Sequence, residues 1–157
     1  MQTIEALLIS LGELDRIYKG ESQLVLWRAL HKTAAVTNPL YPDFEAREVR
    51  AGVLRAPDVE IRNVGGVPHV VARLRQGTSL FDKEGVFGHK QWQYVEIPAG
   101  TKIPDGLIIT RDDYNQKYQA THYSISPNYT MPKAAFMRLL DQLAANALSA
   151  QRRQGSG

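Results

Sequence analysis

The chain has 157 residues, 43% of them hydrophobic and 22% charged, with a net charge of +3 and a pI near 9.2, ordinary values for one globular domain around a single core. It contains no cysteine, which excludes disulfides, thiolate zinc sites and a cysteine nucleophile. The mild positive charge suits an anionic small molecule or a weakly acidic partner and falls short of what a dedicated nucleic-acid binder carries.

The four histidines, His31, His69, His89 and His122, are scattered without helical i, i+4 pairing, so no metal centre is expected. Met1-Gln2-Thr3-Ile4-Glu5 lacks a basic n-region, and Glu5 and Glu13 interrupt the apolar residues. The expectation is a protein with no cleavable signal and no membrane span.

Ile4, Leu7, Leu8, Leu11, Leu14 and Ile17 fall at three- and four-residue spacings, which predicts an amphipathic helix over residues 3–18, stopped by Lys19-Gly20. Gln23 to Arg28 reads as a short buried strand ending in a charge that must reach solvent or meet an anion. Residues 30–57 carry turns at Asn38-Pro39-Leu40-Tyr41-Pro42 and Arg55-Ala56-Pro57-Asp58, around a helical turn at Glu45 to Arg50. A hairpin follows, with Val59 to Asn63, a Gly65-Gly66 turn and a return over Val67 to Leu74, where Pro68 points to an edge.

Gly77-Thr78-Ser79-Leu80-Phe81-Asp82-Lys83-Glu84-Gly85 reads as a short capped helix, whose free N–H groups and hydroxyls would also make an anion pocket. Trp92 to Ile97 alternates as a strand, and Leu107 to Ile109 is a buried strand after the Pro104-Asp105-Gly106 turn. Thr110 to Lys117 reads as a capped helical turn. Gln119 to Pro127 then alternates, with Gln119, Thr121, Tyr123 and Ile125 on one face and Ala120, His122 and Ser124 on the other. Both faces carry hydrogen-bonding groups, so this is either a sheet-centre strand with satisfied polar groups or the floor of an active-site cleft.

From Pro132 the stripe Phe136, Leu139, Leu140, Leu143, Ala147 and Leu148 predicts a terminal helix, with Arg152-Arg153 at the end its dipole favours. Gly155-Ser156-Gly157 reads as an appended tail.

In order, a strand ending in Arg28, the Gly77 to Asp82 segment and the strand around His122 resemble the arginine, serine and third-strand motifs of ADP-ribosyltransferases. More narrowly, the sequence is similar to the Tse-two family of bacterial toxins (type VI secretion exported effector two). The residues that carry this are Gly77-Thr78-Ser79-x-Phe81-Asp82, then Ile97-Pro98-x-Gly100-Thr101-x-Ile103-Pro104. Tyr114-Asn115-x-x-x-Gln119-Ala120-Thr121-His122-Tyr123 follows, with Leu140-Asp141 in the terminal helix. The run Gln119 to Tyr123 is the most specific; between Ala29 and Gln76 only Arg55-Ala56-Pro57-Asp58 matches, and the helix over 3–18 stands outside the resemblance.

The resemblance implies an α+β fold like the ADP-ribosyltransferase toxins: two small angled β-sheets forming a cleft for NAD, with flanking helices. It divides the chain into an N-terminal helical extension over 1–20, a toxin domain over 21–154 and the tail at 155–157. It implies an antibacterial effector exported without a cleavable signal, on a carrier of the secretion apparatus. Such an effector acts in the target-cell cytoplasm and is neutralised by a cognate immunity protein.

Breaking a nicotinamide–ribose bond develops positive charge on the ribose, so such an enzyme must orient the nicotinamide, neutralise the pyrophosphate and stabilise that charge. The resemblance gives Ser79, His122 and Gln119 as catalytic candidates and Arg28, Thr78, Ser79, Phe81 and Tyr123 as NAD-binding ones. Arg28 would hold phosphate in a fork, and Thr78 and Ser79 would bond ribose hydroxyls or order the neighbouring strand. Phe81, Tyr94 or Tyr123 would supply a ring face, and His122 a base or ribose-binding group. The wider superfamily carries a glutamate on the third strand, where this chain offers Gln119 and His122 and no acid. Asp112, Asp113, Glu96, Asp82 and Glu84 are the carboxylates near the matching segments. On the residues alone, an RNA-cleaving toxin using His122 and Tyr123 and a catalytically silent interaction module remain open alternatives.

Overall fold

The structure, a computed structural model, describes residues 2–155. Its elements run α1 (Ile4–Ser10), β1 (Ile17–Tyr18), β2 (Leu26–His31), β3 (Arg47–Arg50), β4 (Val53–Arg55), β5 (Ile61–Val64), β6 (Val67–Val70), β7 (Thr78–Phe81), β8 (Trp92–Ile97), β9 (Leu107–Asn115), β10 (Ala120–Pro127), β11 (Met131–Pro132) and α2 (Lys133–Gly155). The main sheet has six strands in the order β1-β9-β10-β7-β2-β8, a second has the order β11-β6-β5, and β3 and β4 pair alone. This is an α+β architecture, as the sequence implied, with antiparallel pairing throughout its sheets.

The core lies on one face of the main sheet. Leu26, Leu80, Ile97, Leu107, Ile109, Tyr123 and Ile125 pack there with Phe136, Leu140 and Leu143 of α2. Residues 136, 140, 143, 147 and 150 are the buried ones in α2, the spacing that keeps one helical stripe inward. The opposite face is covered in patches: α1 sets Ile4 and Leu8 on Ile108, while Phe81, Val86 and Ala120 form a separate cluster.

Several expectations change. The helix expected over 3–18 stops at Ser10, because Gly12 takes a φ of +73° that breaks helical geometry. A 3-10 turn at Leu14–Arg16 then lets Ile17 and Tyr18 pair with Thr110 and Ile109 at the edge of the main sheet. Leu11 and Leu14, assigned to an apolar stripe, are therefore exposed. The strand expected at 23–28 lies at Leu26–His31, which puts Arg28 inside the strand and not at its end. Glu45 to Arg50 makes no helical turn; its latter part is β3, paired with β4 across the Ala51-Gly52 turn.

The hairpin forms at Ile61–Val64 and Val67–Val70, around Gly65 and Gly66 at φ +59° and +80°, the pair of positive values a type I′ turn needs. Gly77 to Gly85 contains no capped helix, since Thr78–Phe81 is a strand in the middle of the main sheet. Thr110 likewise opens no helical turn, and β9 runs on to Asn115. In both places cap-forming residue types gave way to sheet pairing and burial, the usual tertiary override of local preference. Of the expected tail, Gly155 ends α2, while Ser156 and Gly157 lie outside the described residues.

Candidate functional site

The main sheet opens between β2 and β7. β2 pairs with β8 over six positions, whereas its pairing with β7 is confined to Trp27 opposite Phe81. Beyond that point a cavity of about 310 Å³ lies among Arg28, Ala29, Ser79, Phe81, Phe87 and Trp92, with Tyr41, Asp43, Arg47, Arg55 and Asp58 on the same lining. That is the lower end of small-molecule pocket sizes.

Arg28 fills the place of the missing strand pairing. Its Nη1 donates to Ser79 O at 3.3 Å, its Nε to Pro39 O at 3.0 Å and its Nη2 to Tyr41 O at 3.3 Å. Three of five N–H groups are thus committed to carbonyls, tying the 39–41 segment to β7, and two remain for a ligand. Burial pushes the guanidinium pKa down from its usual value, against the favourable fields of Asp58 and Asp43. These two acids also order the rim. Asp43 N donates to Asp58 Oδ2, and Arg55 reaches Asp43 at 3.5 Å and Asp58 at 3.3 Å.

Phe81 and Phe87 meet edge to face with centroids 5.5 Å apart, and Phe87 lies 4.8 Å from Trp92. Their rings form an aromatic wall beside the arginine. Phe81 also contacts His122 at 5.3 Å, which joins the cavity to a polar group on the adjacent strands.

Residues paired across strands share a face. β7 and β10 pair His122 with Phe81 and Ser124 with Ser79, and β9 places Thr110 opposite Ser124. Between Thr121 and Tyr123 the β9–β10 register slips, so that Asp112 and Asp113 fall where one residue of β10 stands. The slip is a β-bulge, a device that re-aims side chains. Here it brings Asp112 Oδ2 to 2.9 Å from His122 Nδ1 and 2.6 Å from Ser124 Oγ. Thr110 Oγ1 donates to Asp112 Oδ1 at 3.3 Å, and Arg16 Nη2 lies 3.7 Å from that oxygen. The Asp112 side chain is 1% exposed and that of His122 27%.

The structure therefore brings Arg28, Ser79 and Phe81 around one cavity, with His122 adjoining through Phe81. Three expected residues stand elsewhere. Thr78 is fully buried, its hydroxyl given to Leu40 O at 2.6 Å. Tyr123 is 4% exposed with its ring in the core against Tyr18, so it offers no face to a ligand; burial first, then Tyr18, raises its pKa to about 12. Gln119 is exposed at φ +50°, one residue before β10 begins. Of the other acids near the motifs, Asp82 accepts from Thr121 N and Asp113 is exposed and paired with Arg75.

Sequence reasoning named Asp112 only among the acids near the motifs and did not place it beside His122, and it missed Phe87 and Trp92 as the aromatic wall. Alternation continued past Ile109 would have put Asp112 beside Thr110 and Ile108 on one face; reading a helix cap at Thr110 hid it. Among the described residues no group of three or more His, Asp or Glu could hold a metal ion, and no helix is long and apolar enough to cross a membrane.

Two comparisons bear on this arrangement. A family model described as Tse2 ADP-ribosyltransferase toxin matches residues 7–151. The protein Toxin Tse2 of Pseudomonas aeruginosa is 35% identical over 130 residues, covering 83% of this chain and 79% of that protein. The family match begins inside α1, so it takes in much of the segment that the sequence motifs left outside.

Proposed function

The chain belongs to the Tse2 ADP-ribosyltransferase toxin family, and we propose that the opening between β2 and β7 is its NAD site. It is an ADP-ribosyltransferase-like toxin. The observation that carries the assignment of the site is the meeting of Arg28, Ser79 and an aromatic wall in one cavity. NAD supplies an ADP-ribosyl group whose bond to nicotinamide breaks as positive charge develops on the ribose.

The residues present fit that ligand. Arg28 keeps two N–H groups for a phosphate oxygen, fixed by its three carbonyl bonds so that little side-chain entropy is lost on binding. The Ser79 hydroxyl faces a ribose hydroxyl, and Phe81, Phe87 and Trp92 offer rings to a planar base. His122 lies beyond Phe81 as the proton acceptor. Thr78 and Tyr123 serve the sheet and the core, and Gln119 the turn into β10. The acceptor of the ADP-ribosyl group lies in the cytoplasm of a rival bacterial cell that the toxin enters on a secretion carrier. A cognate immunity protein blocks it there.

Expression in a bacterial cytoplasm tests this assignment. Ser79→Ala and His122→Ala each abolish growth arrest while leaving the thermal unfolding profile near that of the parent. Two folded, fully toxic variants would remove the site.

A further inference from the structure

The third strand carries no acid, yet a carboxylate reaches it from β9. The Asp112 side chain is almost wholly buried, and a buried charge costs several kcal/mol unless it is well bonded. It is bonded: His122 Nδ1 and Ser124 Oγ meet one oxygen, and Thr110 Oγ1 meets the other. Bonds to both oxygens suit a carboxylate, which accepts on either, whereas an amide would turn an N–H donor towards one of these partners. The nearby cation compensates only in part. Arg16 Nη2 is buried without a hydrogen-bond partner among the described residues, 3.7 Å from Asp112 Oδ1, while its other nitrogens serve Arg111 O and Glu13. The site thus holds a negative charge against the one ring in the group that can become positive.

We propose that Asp112 is a positioning residue that fixes the His122 imidazole with its hydrogen on Nδ1, leaving the Nε2 lone pair as the site's proton acceptor. A carboxylate accepts hydrogen bonds and donates none, so the 2.9 Å contact requires the hydrogen on Nδ1. The second oxygen of Asp112 is held by Thr110 and faces Arg16, which prevents the carboxylate from turning away. Arg16 stands in the turn after α1, so the N-terminal segment reaches the site through this carboxylate. As an acceptor nucleophile bonds to the ribose carbon and the electron pair of the broken bond leaves with nicotinamide, the nucleophile's proton passes to Nε2. The resulting imidazolium then faces Asp112 in a shielded setting, where the pairing is stronger than in water.

This rests on the reading of His122 as the proton acceptor, and the test separates the two. In full-length protein labelled with 15N-histidine, with the His122 signals assigned by their loss in His122→Gln, long-range correlation spectra at mildly alkaline pH report the tautomer directly. Wild type shows a protonated Nδ1 and a lone pair on Nε2. A protonated Nε2 overturns the proposal, whether or not the protein consumes NAD. Asp112→Asn, whose amide can donate to Nδ1, shifts the hydrogen to Nε2 and lowers NAD turnover by about 10²–10⁴-fold. A folded Asp112→Asn with wild-type turnover overturns the proposal. If that variant does not fold, the wild-type tautomer decides alone. A wild type that consumes no NAD counts against the proposed function and leaves the tautomer measurement intact.

Discussion

Replacing Gly77 by alanine tests how the serine strand is held at the cavity. A Cβ built at Gly77 would lie 1.9 Å from Ile125 O and 2.7 Å from Ile125 C, with Ser126 Oγ at 2.9 Å. The obstacle is backbone of the neighbouring strand, which cannot swing aside as a side chain can. Reaching even about 3.0 Å requires β7 and β10 to part by roughly 1.1 Å, the difference between that limit and the 1.9 Å contact. Near this point Ser126 Oγ of β10 donates to Gln76 O just before β7, while Gly77 N to Asp58 O and Thr78 Oγ1 to Leu40 O tie the start of β7 to other segments. Overpacking costs about 1–3 kcal/mol, and weakening these bonds brings the loss to roughly 3 kcal/mol. For a chain of this size that lowers Tm by about 6–12 °C. Displacing Ser79 by about an ångström also lowers turnover by roughly 10²-fold. Thermal unfolding followed by circular dichroism, with NAD turnover measured well below Tm, checks both. A variant within about 2 °C of wild type with normal turnover would refute the argument that this close approach sets the strand.

Arg28→Lys keeps the charge and loses the three-carbonyl clamp, so stability falls by about 1–3 kcal/mol in urea unfolding and the KM for NAD rises; unchanged values for both would dismiss the clamp. Tyr123 has a folded-state pKa of about 12, above its ordinary value near 10. Its contribution is therefore complete below about pH 10 and is lost as pH rises towards 12. Tyr123→Phe should flatten alkaline unfolding, and equal alkaline slopes would contradict this. Asp141 accepts from Tyr41 Oη at 2.6 Å and from Asn38 Nδ2 at 2.9 Å, contacts that lower its pKa, with Tyr41 the larger cause. Its contribution is present above the usual carboxylate range and disappears as pH falls through the lowered value. The stability gap between wild type and Asp141→Ala in urea should accordingly close in acid, and a gap independent of pH would be at odds with it.

Strands written as alternating or continuously apolar runs were legible as strands: Trp92 to Ile97, the buried start of β9, and the body of the strand ending at Pro127. So was α2, whose stripe from Phe136 to Ala147 lies on the core, although Leu148, assigned to the same stripe, is exposed. The glycine pair at 65–66 gave its hairpin for a geometric reason, since two positive φ values are needed there. What misled were residues with two uses. Thr78-Ser79 and Thr110 are good helix caps, and they are also acceptable in a strand whose neighbours take their hydroxyls. Sequence spacing does not reveal that Leu40 O waits for Thr78, or that Asp112 waits for Ser124 and His122. Arg28 was expected to reach solvent or meet an anion, whereas it is bonded to three backbone carbonyls inside the sheet. The resemblance to the toxin family lies in the motifs that β7 and β10 carry. It did not reveal the register slip that carries Asp112 to His122, because a bulge depends on two strands at once.

The central claim is that the cavity between β2 and β7 holds NAD and that the residues around it break its nicotinamide bond. Incubating purified full-length protein with NAD labelled in the adenylate, alongside a bacterial cytoplasmic extract, tests it most directly. The account predicts release of nicotinamide and label appearing on an extract component, both lost in Ser79→Ala and His122→Ala. NAD left intact by wild type, or consumed equally by both variants, would contradict it.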